Sequence, residues 1–292
     1  MNFGKLVIFG VGLIGGSVAL ALKGKNAVTE VVGIGRTKAN LQSALTLNVI
    51  DRAATLDEDW ARELANANIV LIAAPVAQTH ALLSRILPVL NPTAILTDAG
   101  STKEDVIVAA KKAYGLTPRV SLSQFVPAHP IAGTEHSGAA AAFATLYQGK
   151  KTIITPIEET HPKAVDVVTS LWETCGSTVY TLPYKTHDAI FAAVSHLPHM
   201  VGFAYVAGLA SRDNAAQLFD FTGGGFKDFT RIAASSPEMW RDIALSNKNA
   251  LTDEINALIQ NLDELKKEIA DDAGDALLSR FSVAARARQA LK

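Results

Sequence analysis

The chain has 292 residues, 49% of them hydrophobic, which is enough for one large domain or two ordinary ones with a substantial core. Its net charge of −1 and pI near 6.7 exclude the strongly basic surface of a nucleic-acid or anionic-membrane binder. Cys175 is the single cysteine, so no internal disulfide can form and a reducing, cytoplasmic setting is expected, with neither signal peptide nor transmembrane segment.

Lys5–Phe9 is a short apolar run of the kind that forms a buried parallel strand. It leads directly into Gly10, Gly12 and Gly15 at GxGxxG spacing, and then into the helical stretch Val18–Lys23. Strand, glycines and helix in that order are what make the pattern a dinucleotide cradle rather than a bare turn. Gly10 permits the tight turn, Gly12 lets a pyrophosphate approach the backbone, and Gly15 lets the helix pack against the strand. The helix N-terminus offers N–H groups and a positive dipole end to phosphates. Leu13 and Ile14 lie inside this turn and belong to the expected cofactor contacts, as does Pro75 further on.

A second strand is expected at Glu30–Gly35. Arg36, Thr37 and Lys38 come after it, where an acidic residue for a ribose 2′-hydroxyl would otherwise stand. A guanidinium, a hydroxyl and an ammonium suit a 2′-phosphate, so NADP is expected over NAD, with NAD possible; the plainer alternative is a solvated basic turn opening the helix at 39–47. The alternation continues with a helical pattern at 57–67, a strand at 69–73 closed by Pro75, a helix at 78–87, a strand at 94–97, and a helix to Ala113. This order predicts an α/β fold with an N-terminal, Rossmann-type, doubly wound parallel sheet, whose ligands bind beyond the carboxyl ends of the strands. Asp98, Ser101 and Lys103 fall there. Ser101 with Glu104 also reads as a capping box, and both roles can coexist.

The stretch Val126–Gly138 is not expected to be regular helix or strand. Pro130 keeps His129 out of the helical region, and Gly133 and Gly138 loosen the backbone after it. The stretch places an imidazole (His129), a hydroxyl (Thr134) and a carboxylate (Glu135) within seven residues. Beyond it, strands are expected at 151–155 and 177–182 around a helix at 162–173, with a domain boundary at Pro183–Tyr184. This gives a dinucleotide-binding domain over 1–183 and an all-helical dimerisation and substrate domain over 184–292.

In the second half, a long apolar helix over 187–211 carries Ser195, His196, Pro198 and His199, and Pro198 should kink it. The two histidines either bond carbonyls freed by the kink or face a ligand. Arg231 shares a helix face with Lys227 and Asp228, and a surface ion pair between Asp228 and Arg231 is the plainer reading. Ser236 and Pro237 read as N-cap and first helical position. The helix they open carries Leu251, Ile255, Leu258, Leu262, Leu265 and Ile269 at heptad-like spacing, an internal packing stripe or a subunit interface. So much apolar surface in a helical half makes a homodimer the expectation. The tail from Ser279 is a basic, solvated helix.

Taken together and in order, the glycine motif, Asp98–Ser101, His129–Glu135, Ser195–His199 and Gly223–Arg231 make the chain resemble the prephenate/arogenate dehydrogenase family of tyrosine biosynthesis. The resemblance runs nearly end to end, and no appended mutase or regulatory domain is expected. It implies oxidative decarboxylation of a cyclohexadienol with a nicotinamide dinucleotide. By the same resemblance His129 is the catalytic base, Ser101 bonds the reacting hydroxyl, and Arg231 binds the substrate carboxylate. Thr134, Glu135, His196, His199 and Trp240 are then substrate-pocket residues. Prephenate and arogenate are not distinguished. Two alternatives stand beside this: a β-hydroxyacid dehydrogenase or pyrroline-carboxylate reductase, and a non-catalytic NADP-sensing regulator.

Overall fold

The computed structural model describes residues 1–134 and 136–291; Glu135 and Lys292 lie outside the described residues. Strand β1 (Lys5–Phe9) leads into helix α1 (Leu13–Gly24), followed by β2 (Glu30–Gly35), α2 (Lys38–Thr46), β3 (Arg52–Thr55) and β4 (Ile69–Ile72). Then come α3 (Thr79–Ile86), β5 (Ile95–Asp98), α4 (Glu104–Gly115) and the two-residue β6 (Phe125–Val126). The six strands form one parallel sheet in the order β3-β2-β1-β4-β5-β6, with Val7 opposite Val32 on one side and Val70 on the other. The order reverses at β1 and β4, which opens a crevice above their carboxyl ends.

Both faces of this sheet are covered, which explains why β1 is apolar throughout and does not alternate. Leu6 and Ile8 join one core with α1, α2 and a later helix, α5 (Pro162–Cys175). Val7 and Phe9 join the other core with α3 and α4.

Residues 57–67 do not form the expected helix, and β3 was not anticipated. Only a 3-10 turn forms, Ala61–Leu64. Buried Trp60 packs edge-on against Phe9 with ring centroids 5.3 Å apart, and buried Glu63 accepts from Lys5 Nζ at 2.9 Å. Trp60, Glu63, Leu64 and Ala67 are buried at the spacing of an amphipathic helix, so the periodicity that suggested a helix is present although only this 3-10 turn forms.

A second, three-stranded sheet comes next: β7 (Ala128–Pro130), β8 (Lys151–Ile154) and β9 (Thr178–Thr181), with β7 antiparallel and β9 parallel to β8. His129 therefore lies in a strand, opposite Ile153, which corrects the expectation of irregular structure. The reason is the same Pro130 effect. The extended backbone that a following proline imposes is strand geometry as much as it is anti-helical.

After Pro183 the described chain is helical: α6 (Tyr184–Phe191), a π-helical turn (Ala192–His196), α7 (Leu197–Ala210), α8 (Ala215–Asp220), α9 (Gly224–Thr230), α10 (Pro237–Ser246), α11 (Lys248–Ala270) and α12 (Gly274–Ala290). The expected single helix with a proline kink is thus α6 and α7 joined by the π turn, which ends two residues before Pro198. Widening this turn accommodates a proline that cannot donate to the carbonyl four residues back. Ser236 caps α10 as expected, accepting from Met239 N–H at 3.3 Å, but Asn247 breaks the long helix read there into α10 and α11. By length and composition Tyr184–Ala210 could cross a membrane, and only 22% of its most apolar window is buried. Ile259, Leu262 and Ile269 on α11 and Leu278 and Phe281 on α12 are exposed as well.

Candidate active site

The glycine turn fits a dinucleotide. Gly10 has φ +97°, a left-handed conformation that side chains disfavour. A Cβ on Gly15 would collide with the Gly10 carbonyl, whereas one on Gly12 would meet nothing, so the turn has a packed side and an open one. No side chain caps α1, and its first helical bond runs from Gly16 N–H to the Gly12 carbonyl at 2.9 Å. The N–H groups of Leu13, Ile14 and Gly15 consequently have no acceptor within the helix. At the end of β2, Arg36 is exposed and Thr37 is the N-cap of α2 without a side-chain bond, while Lys38 pairs with Glu58 at 3.2 Å. Pro75 is exposed just beyond β4.

The segment beyond the His129 loop is joined to this cradle. Asn40 donates to the Val11 carbonyl at 2.7 Å and accepts from Ala139 N–H at 2.9 Å. Tyr147 Oη donates to the Ile14 carbonyl at 2.7 Å, and Ser17 accepts from Phe143 N–H at 3.0 Å.

A buried ion pair fixes the strand that carries His129. Asp98, the last residue of β5, accepts from Gly100 N–H at 2.9 Å, from Ala128 N–H at 3.0 Å, and from the Lys103 ammonium. Lys103 also donates to the Ala128 carbonyl at 2.7 Å. The backbone of Ala128 is thereby gripped from both sides, one residue before the imidazole.

His129 Nδ1 lies 2.8 Å from His187 Nε2, and His187 Nδ1 lies 2.7 Å from an oxygen of Asp188. The carboxylate of Asp188 also accepts from Lys103 N–H at 2.9 Å and Glu104 N–H at 2.8 Å. The acceptor at the end of this chain sets its protonation pattern. An ionised Asp188 requires the proton of His187 on Nδ1, which leaves Nε2 to accept from His129 Nδ1–H. His129 Nε2 then carries a free lone pair. Phe191 flanks the half-buried His129 ring at 4.8 Å, and burial holds His129 well below the ordinary histidine pKa. Neighbouring His187 and Lys103 add to that shift. The imidazole is thus neutral at neutral pH, with a nitrogen that can accept a proton.

The same contacts correct the reading of Ser101. Its hydroxyl does not cap α4; Asp188, from the helical half, accepts the first N–H groups instead, and the side chain of Ser101 is left half-buried at the helix N-terminus. The helical half supplies the other wall. Trp240 stacks on His199 with ring centroids 3.6 Å apart, and His199 Nδ1 bonds the Ser195 carbonyl at 2.9 Å. Arg231, exposed at the start of a 3-10 turn, lies near enough for its charge to lower the His199 pKa, after burial, the larger cause. Among the described residues it forms no ion pair with Asp228. His196 is fully buried and reaches Asn247 Nδ2 at 3.1 Å. Thr134 is exposed and accepts from His136 N–H at 3.3 Å, a bond within its own loop. Glu135, expected in the pocket, lies outside the described residues.

His187, Asp188, Phe191 and Asn247 escaped the reading of the sequence. The available signal was a histidine beside an aspartate in the first turn of an otherwise apolar helix, where a buried acid needs partners.

Comparison with known proteins places this geometry. The profile of the prephenate dehydrogenase nucleotide-binding domain matches residues 18–181, and that of the prephenate dehydrogenase dimerization domain matches residues 183–283. The chain is 32% identical to a cyclohexadienyl dehydrogenase from Zymomonas mobilis, over 99% of this chain and 97% of that one. It is 33% identical to a prephenate dehydrogenase from Bacillus subtilis, over 98% of this chain and 76% of the other. A crystal structure of prephenate dehydrogenase from A. aeolicus in complex with hydroxyphenyl propionate and NAD+ superposes with a TM-score of 0.91 at 32% identity, covering 100% and 99% of the two chains. Synechocystis arogenate dehydrogenase superposes with a TM-score of 0.81 at 27% identity, covering 98% and 99%.

Proposed function

The chain belongs to the prephenate dehydrogenase family, and from that premise we propose that it oxidatively decarboxylates prephenate, arogenate or both in the formation of tyrosine. It is an oxidoreductase of the prephenate dehydrogenase type with a domain for a nicotinamide dinucleotide. The rival hydroxyacid-dehydrogenase and sensor readings fall away with the family. The observation that carries the reaction is the chain from Asp188 through His187 to His129, which leaves one imidazole nitrogen unprotonated at the crevice.

When bound, the dinucleotide supplies the hydride acceptor. The glycine turn would hold its pyrophosphate against the N–H groups of Leu13, Ile14 and Gly15. His129 Nε2 takes the proton of the C4 hydroxyl as the C4 hydrogen departs with its electron pair, and Ser101 bonds the same hydroxyl. The C1–carboxylate bond then breaks. Its electrons enter the ring, carbon dioxide leaves, and the proton on His129 returns to the phenolate oxygen, so no proton is released overall. Arg231 holds the side-chain carboxylate bidentately, with His199 and Trp240 walling the same end and Thr134 and Glu135 as further pocket residues.

NADP is our reading of the cofactor, supported by exposed Arg36 and by Thr37, whose hydroxyl makes no cap bond. Lys38 is occupied by Glu58 and contributes less than its position promised. We place the division between the two functions at Pro183 and assign the exposed apolar helices of the second half to a homodimer interface, consistent with the dimerization-domain match. The free, buried Cys175 accords with a cytoplasmic setting. Measuring kcat/KM for prephenate and arogenate, each with NAD and NADP, tests the proposal. Reduction with at least one substrate, faster with NADP, is expected; no reduction in any of the four pairs would refute it.

A further inference from the structure

Asn247 ends α10 and begins α11, and its side chain is only 5% exposed. One atom of its amide lies 2.8 Å from the backbone carbonyl of Asp188, which can only accept, so that atom is the nitrogen. The same nitrogen faces His196 Nδ1 at 3.1 Å. Its two hydrogens serve both acceptors. Nδ1 of His196 therefore carries no proton, and the proton of the ring sits on Nε2. His196 is 1% exposed, and its Nε2 is enclosed without a hydrogen-bond partner among the described residues. A buried donor lacking an acceptor is costly and calls for one from a bound molecule.

We propose that Asn247 is a positioning residue which, through His196, presents an N–H donor to the ring carboxylate of the substrate. This rests on the reaction proposed above. Beside its α-keto or α-amino group, that substrate brings three polar groups: the C4 hydroxyl belongs to His129 and Ser101, the side-chain carboxylate to Arg231, and the ring carboxylate is left for His196. Asp188 thus orients two imidazoles with opposite polarity. Its carboxylate makes His129 an acceptor by way of His187, and its carbonyl, through Asn247, makes His196 a donor. A neutral donor suits a carboxylate that must leave as uncharged carbon dioxide, because a cation there would hold the anion in place. Burial, opposed by Asp188 and assisted by His187 and His199, pushes the His196 pKa down to about 4 and keeps the ring neutral.

The test is imidazole 15N–1H correlation spectroscopy of the full-length protein, combined with kinetics of Asn247→Asp. In the unaltered protein His196 should give the Nε2–H pattern; an Nδ1–H pattern would overturn the proposal without any variant being needed. Asn247→Asp offers an acceptor to Nδ1, so the pattern should reverse and kcat on the active substrate should fall about 10- to 100-fold. Affinity for 4-hydroxyphenylpyruvate, which lacks the ring carboxylate, should stay within about twofold. An equal loss of affinity for that product would mark Asn247 as merely structural and refute the assignment. Failure of the unaltered protein to turn over either substrate would sink the reaction instead, and the nitrogen spectrum would still report the tautomer.

Discussion

At the scale of single residues, the proposed base is an imidazole whose proton is placed by others. His129 is neutral from burial and has one nitrogen committed to His187, so its reactivity is confined to Nε2. Replacing His129 with alanine should lower kcat by roughly 10²–10⁴-fold while dinucleotide affinity, measured by fluorescence titration, is retained. Because burial lowers the His129 pKa, protonation and loss of activity begin only at a pH below that of an ordinary histidine. The acid limb of kcat/KM should therefore lie below 6.5, with no decline through neutral pH. A limb at or above that value would contradict the neutral base. Arg231 should behave differently. Arg231→Ala should raise KM for substrate by roughly tenfold or more and leave the dinucleotide KM unchanged, since a guanidinium–carboxylate pair is a binding contact.

At the scale of elements, the site depends on how strand ends and helix ends meet. The grip of Asp98 and Lys103 on Ala128 sets β7, and Asp188 caps α4 while orienting His187. One carboxylate thus ties the helical half to the sheet and to the base. Asp188→Asn should cost about 1 kcal/mol of stability from the weakened cap. It should cost roughly 10²–10⁴-fold in kcat, because an amide can present a donor to His187 and reverse the chain of tautomers. Thermal unfolding and steady-state kinetics separate the two effects, and a variant that lost stability alone would deny Asp188 its orienting role. Much of this level was legible in the sequence. The strand–glycine–helix unit, the Ser236 cap and the alternation outside residues 52–67 rest on local spacing, and these are present. What local spacing cannot carry was missed. Ser101 and Glu104 have the pattern of a capping box, but a carboxylate from a helix more than eighty residues later takes its place. The π turn before Pro198 and the break at Asn247 likewise answer to tertiary partners.

At the scale of the whole molecule, the nucleotide-binding half is closed on itself, and the helical half is not. Its uncovered leucines, isoleucines and phenylalanines form an exposed apolar surface, and the homodimer proposed above would cover it with a second copy of the same domain. Leu262→Glu combined with Phe281→Glu should shift sedimentation from dimer to monomer; an unchanged dimer would place the interface elsewhere. The histidines add a pH term to the stability of the fold. His196 drops from 6.5 to about 4 on folding, so the unfolded chain binds more protons between those values. Its contribution is present above 6.5 and is lost progressively as pH falls toward 4. The sequence offered candidate residues for the site through their resemblance to a family, but not the connections among them, because His187, Asp188 and Asn247 acquire meaning only where the two halves touch.

The central claim is that hydride removal and loss of carbon dioxide are one reaction served by His129. It is tested most directly by measuring reduced nicotinamide and carbon dioxide together from the same reaction on prephenate or arogenate. The two products should appear in a one-to-one ratio, and both should fall in parallel in His129→Ala. Nicotinamide reduction without carbon dioxide, or a His129→Ala variant with undiminished yield of both, would contradict the account.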